Sequence, residues 1–153
     1  MWATLLDSFV KLVGLVAVVI AACTFRLNVH LKRAEWLSEL HSKFYEGNTY
    51  KQIRRILDYR PQPDYTNLER SITTGGHDEL AEALVDYLNF FEFIGTLRKL
   101  KQLNLCEIAM MFDYYIGNLT EHDFVMTFVK KQGFENLEKL TELIAEHKRK
   151  QLQ

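Results

Sequence analysis

The feature that most constrains this chain is an apolar run near its N-terminus, LLDSFVKLVGLVAVVIAACTF, from Leu5 to Phe25. As a helix these 21 residues rise about 32 Å, close to the hydrocarbon thickness of a bilayer. The uninterrupted part, Leu12 to Phe25, is shorter, so Asp7 and Lys11 belong at the interface. Their four-residue spacing puts them on one helical face, where they can pair or Lys11 can snorkel outward. The run therefore predicts a transmembrane helix. Arg26, Lys32 and Arg33 follow it with no acid before Glu35, which by the positive-inside rule predicts that the remainder faces the cytoplasm.

Three other readings compete. A cleaved secretory signal opens with a positive segment, whereas here Asp7 precedes Lys11. Ile20-Ala21-Ala22-Cys23 matches a lipobox, in which Cys23 would carry lipid. A short apolar run also serves as a buried core helix in many soluble domains.

The rest of the chain reads as helices, giving an all-α fold: one transmembrane helix (5–25), a helical extension (26–46) and a small cytoplasmic helical bundle (47–153). No Gly or Pro lies between Gly14 and Gly47, so the membrane helix can continue as one rod, with Leu31, Ala34, Leu37 or Leu40, and Phe44 as an apolar stripe. Thr49 is a candidate cap for a brief helix carrying Ile53, Ile56 and Leu57 inward and stopped by Pro61. PQPDYTNLERSITTGG, 61–76, holds both prolines and reads mainly as a mobile loop with one helical turn near Leu68. Asp78 opens the strongest helix, through to Asn104, with Leu80, Leu84, Leu88, Phe91 and Leu97 apolar. CEIAMMFDYYIG forms another that Gly117-Asn118 ends, and Thr120 begins a further one closed by Gly133. The last helix, 135–151, aligns Leu137, Leu140, Leu143 with Ile144, and His147.

Composition excludes several functions. Nineteen Lys and Arg interleave with 20 Asp and Glu, leaving no single-sign field to attract nucleic acid. Cys23 and Cys106 make no disulfide framework, and the five histidines show no HExxH, HxH or Cys/His spacing, so neither metal nor other cofactor is expected. No Walker loop, GxGxxG or GxSxG elbow occurs. His122, in TEHDF, reads as a surface residue in a helix's first turn. Asn118-Leu119-Thr120 matches a glycosylation acceptor formally, but a cytoplasmic face receives no glycan.

Residues 87–116, YLNFFEFIGTLRKLKQLNLCEIAMMFDYYI, with FENLEKLTELI near the end, resemble a bacterial family of small membrane-anchored helical proteins catalogued as a domain of unknown function. The resemblance, centred on Leu-Asn-Phe-Phe-Glu, implies a fold and an inner-membrane location but no activity. Members often carry glycine in the turn that here reads Lys101 to Leu105, a departure from the pattern.

Within YLNFFEFIG, Asn89 and Glu92 are candidate structural polar residues: a carboxylate among large apolar neighbours needs a partner, and an Arg, a Tyr or a backbone N–H on a neighbouring helix would serve. As a general base Glu92 would need a converging acid, His or cation, which no motif supplies. Phe90, Phe91, Phe93, Phe112, Tyr114 and Tyr115 are too many rings for the space between two helices. Phe90, Phe93, Phe112, Tyr114 and Tyr115 are accordingly candidates for a protein interface. Gly14, Ala17 and Ala21 share a face of the membrane helix smooth enough for close backbone approach, which admits a homo-oligomer and equally admits a monomer. The function expected is a membrane-anchored helical adaptor without catalysis, with the lipid bilayer and an unidentified protein as partners. The alternative is a small membrane effector, a toxin or phage-defence component that assembles and perturbs the bilayer.

Overall fold

The absence of Gly and Pro over residues 15–46 lets a single helix run unbroken, and α1 spans Trp2–Tyr45. The computed structural model describes the backbone of residues 2–76 and 78–151. Side chains of residues 2–13, Leu15, His30 and Thr49 lie outside the description, and with them the expectations placed on Asp7, Lys11 and Leu12, whereas Thr49 is not a cap: its helix begins at Asn48, with Gly47 in the N-cap position. Six helices follow: α2 Asn48–Tyr59, α3 Asp64–Thr74, α4 Glu79–Lys99, α5 Leu105–Leu119, α6 Asp123–Gln132 and α7 Glu135–Gln151. The protein is all-α, with no strand among the described residues. It divides into two compact units, residues 1–43 and 44–153.

In the first unit every side chain described from Val16 to Val29 is exposed, Val18 at 66% and Phe25 at 70% among them. Gly14, Ala17 and Ala21 are exposed with the rest. Along the predicted stripe Leu31 and Ala34 are exposed, whereas Leu40 and Phe44 are buried. Among the described residues no helix is long and apolar enough to cross a membrane. The described side chains of the apolar run are Gly14 and Val16 to Phe25, 11 residues, against the roughly 20 that a span requires.

The second unit is built around α4, which packs on α2, α3, α5 and α7. Asp78 starts α4 by accepting the Ala81 N–H at 2.9 Å, as its sequence predicts. The helix stops earlier than Asn104, in a Schellman turn: Gln102 N–H donates to Leu97 O at 2.9 Å and Lys101 N–H to Arg98 O at 3.1 Å. Lys101 adopts φ 59°, the left-handed position that glycine fills without strain. Asn104 then begins α5 with a capping box, its side chain on Glu107 N–H and the Glu107 carboxylate on its own N–H.

Two expectations are overturned. Residues 61–76 are not mainly loop: α3 occupies Asp64–Thr74, with an acid in its first turn and Gly75 at φ 73° as its C-cap. Pro63 sits just before the helix, where its missing N–H costs nothing, and Leu68, Ser71 and Ile72 are buried. Gly117 does not end α5, which continues to the fully buried Leu119, so α6 begins at Asp123 rather than at Thr120.

The aromatic core corrects a third. Phe90 and Phe112 are 5% and 0% exposed, so neither belongs to an interface. The packing has a further wall, because Phe44, itself 0% exposed, stacks on Phe90 with centroids 5.0 Å apart and meets Phe91 and Phe112 edge-on at 5.4 and 5.2 Å. Tyr50 of α2 closes the same cluster against Phe90 at 5.3 Å. Each ring buried in this way contributes about 1.5–3 kcal/mol relative to exposure. Arg54 covers the outer edge, its guanidinium 4.9 Å from the Phe44 centroid while it donates to Tyr45 O at 2.9 Å.

Candidate functional site

α4 and α7 meet unusually closely because α4 carries Gly95 at the crossing. A Cβ there would lie 2.5 Å from Asn136 O and 2.7 Å from its carbonyl carbon, backbone atoms that cannot swing aside. That closeness brings the Glu92 carboxylate, one turn earlier, onto the first turn of α7. Leu137 N–H donates to Oε2 at 2.7 Å, and Asn136 donates to Oε1 from its backbone at 3.2 Å and from its side chain at 2.6 Å. The Asn136 amide also reaches Thr96 Oγ1 at 3.3 Å, and that hydroxyl donates to Glu92 O at 3.0 Å. Glu92 thus caps α7 from another helix, its negative charge set against the positive end of the α7 dipole. Three N–H donors thus occupy the two carboxylate oxygens.

Beside this junction a cleft of about 850 Å³ opens between α3, α4 and α6, within the usual range of ligand sites. Ile72, Ala81, Val85, Phe128 and Phe134 give it an apolar floor, and Glu82, Asp86 and Glu92 give it acid. Asn89, exposed on α4, lines the same cleft. Gly75 and Gly133, both with positive φ at the ends of α3 and α6, bring two helix C-termini to its edge.

A second polar cluster joins α2, α3, α5 and the start of α6. His122, 1% exposed, is the residue before α6 rather than a surface histidine, and its Nδ1 shares a 2.9 Å hydrogen bond with the Tyr65 hydroxyl. Burial, aided by the Arg60 cation, holds the His122 pKa below its ordinary value, against the pull of Glu121, the Leu57 backbone and Asp58. Burial likewise raises Asp58, although Asn118 Nδ2 donates to its Oδ1 at 2.9 Å. The Asp58 charge in turn raises exposed Tyr114. A smaller pocket beside this cluster is bordered by Arg60 and Lys148, which are taken up by Glu121 at 3.5 Å and Asp113 at 3.3 Å.

The remaining candidates are dispersed. Phe93 and Tyr114 are 49% and 56% exposed on α4 and α5, and Tyr115 is half-buried against Tyr45 and Phe44. Sequence reasoning missed Gly95 and Asn136; the signal available for the first was Gly95 one turn beyond Glu92 on the same helical face. Among the described residues no group of three or more His, Cys, Asp or Glu is placed to hold a metal ion. No family model, no curated protein and no solved structure matches the chain.

Proposed function

We propose that this protein is a membrane-anchored adaptor without catalytic activity, held in the bacterial inner membrane by α1 and presenting the helical unit 44–153 to a protein partner in the cytoplasm. The observation that carries this reading is the all-round exposure of an apolar helix. Val16, Val19 and Ile20 share one face of α1 and Val18 lies roughly opposite, and all are at least half exposed. A helix apolar on every side has no water-facing surface and belongs in lipid. The nine residues Leu5–Val13 extend the run in sequence to the length a bilayer requires. Thr24 fits the same setting, since its hydroxyl donates to Ile20 O at 2.9 Å and leaves no polar hydrogen without a partner in hydrocarbon. Arg26, Lys32 and Arg33 support the cytoplasmic orientation. The resemblance of residues 87–116 to membrane-anchored helical proteins points the same way. The face of Gly14, Ala17 and Ala21 supplies a route to self-association within the membrane.

The test is alkaline carbonate extraction of cells producing the full chain, together with a membrane-potential dye. The protein should stay in the membrane pellet, deletion of residues 2–25 should release it, and induction should leave the potential intact. Release of the intact chain by carbonate would remove the anchor, and rapid depolarisation would replace the adaptor with a bilayer-perturbing effector.

A further inference from the structure

We propose that the cleft between α3, α4 and α6 receives a basic peptide segment of a partner protein, one that alternates Lys or Arg with apolar side chains. The inference rests on the adaptor reading and names the chemistry of its partner. Two independent sources of negative potential converge on this cleft. The first is the side chains: Glu82 and Asp86, four residues apart on α4, both face it, and neither has an ion-pair partner among the described residues. Like charges at that spacing repel, so a cation between them relieves a strain that the chain leaves uncompensated. The second source is the backbone. α3 and α6 both end at the cleft, in Gly75 and Gly133, and helix C-termini carry partial negative charge.

The positive helix ends nearby are already answered within the chain. Asp78 caps α4 and Glu92 caps α7, so neither N-terminus is left to attract an anion. Among the described residues no Lys or Arg lines the cleft; Lys130 and Lys131, in the last turn of α6, are exposed and do not border it. The charged side chains described in its lining, Glu82, Asp86 and Glu92, are therefore all acidic. A bare cation does not suit the site, because it would leave Val85, Phe128 and Phe134 against water. A Lys or Arg side chain carries its charge on an apolar stem, and neighbouring apolar residues of a peptide cover the floor. The cleft is open to solvent and large enough to take several side chains of a passing chain.

The experiment uses the full chain in phosphatidylcholine nanodiscs and reads fluorescence anisotropy of a short labelled peptide of alternating lysine and leucine. A matching peptide with glutamate for each lysine is the control, and empty nanodiscs correct for binding to lipid. The lysine probe should bind and the glutamate probe should not. Glu82→Gln with Asp86→Asn should weaken the lysine probe about tenfold, the effect of two partly screened charges together. Val85→Trp, which fills the floor and leaves the charges, should abolish binding, with melting curves showing that the variants fold. Equal binding of the two probes, no binding of either, or lysine-probe binding indifferent to the Glu82/Asp86 double variant would overturn the proposal. Carbonate extraction of the same preparations separates the two readings. A chain that stays in the membrane yet ignores the probe fails the cleft alone, and one that leaves the membrane yet binds the probe fails the anchor alone.

Discussion

Replacing Glu92 measures how much of this fold hangs on one carboxylate. In Glu92→Ala the N–H groups of Asn136 and Leu137 lose their acceptor, and the Asn136 side chain loses its shortest contact, 2.6 Å. Loss of a helix cap costs about 1 kcal/mol, and a carboxylate at a partly buried helix N-terminus adds about 1–2 kcal/mol. Since the junction is only half-buried and water can replace part of what is lost, Glu92→Ala should cost about 2 kcal/mol in all. Glu92→Gln keeps one oxygen for Leu137 N–H and loses the charge, for about 1 kcal/mol. The unit spans 110 residues, Phe44 to Gln153. At a typical unfolding entropy per residue, 1 kcal/mol moves Tm by about 4 °C. Thermal melting followed by circular dichroism should therefore fall about 8 °C for Glu92→Ala and about 4 °C for Glu92→Gln. Asn89→Ala, an exposed change one turn away on α4, should stay within about 1 °C. A carboxylate kept for proton transfer would show the opposite pattern, with activity lost and Tm unchanged in Glu92→Gln. If Glu92→Ala melts with wild type, the capping argument is wrong.

Two further outcomes follow from the backbone and from His122. Lys101→Gly should stabilise the second unit by about 0.5–1 kcal/mol, because Lys101 holds a left-handed φ of 59°, which glycine adopts without strain; urea denaturation that shows no rise in midpoint would refute this. The pKa of His122 is lowered by burial, so the unfolded chain binds its proton more readily and stability falls as pH drops below the unfolded value near 6.5. His122→Asn, which keeps a polar atom near the Tyr65 hydroxyl, should flatten that part of the stability profile; an unchanged slope in urea melts between neutral and mildly acid pH would exclude His122 as its source.

Much of the helical order was legible because its signals are local. Asp78 and Gly133 each act within a turn of their own position, and each marks a real boundary. The segment 61–76 misled because two prolines and two glycines count as loop residues by composition, while their placement tells more. Pro63 falls just before a helix and Gly75 just after it, the two positions at which these residues favour helix ends. His122 misled for a different reason. Its burial depends on Tyr65, 57 residues away, and nothing in TEHDF signals a partner at that distance.

The aromatic cluster shows where counting residues on two helices fails. Six rings on α4 and α5 exceed what one helix pair can cover, and the inference that some remain outside holds for Phe93 and Tyr114 but not for Phe90 and Phe112. The missing quantity was the wall supplied by Phe44 and Tyr50, far away in sequence and unmarked by any periodicity shared with α4. The Glu92 junction has the same character. Its need for a partner follows from a carboxylate among apolar neighbours, a one-residue argument, and a backbone N–H on another helix was among the partners foreseen. The identity of that partner depends on Gly95, since only a residue without a Cβ lets α7 descend far enough for Asn136 and Leu137 to reach the carboxylate. Needs are therefore written locally in this chain, whereas the groups that meet them are set by how closely two helices can approach.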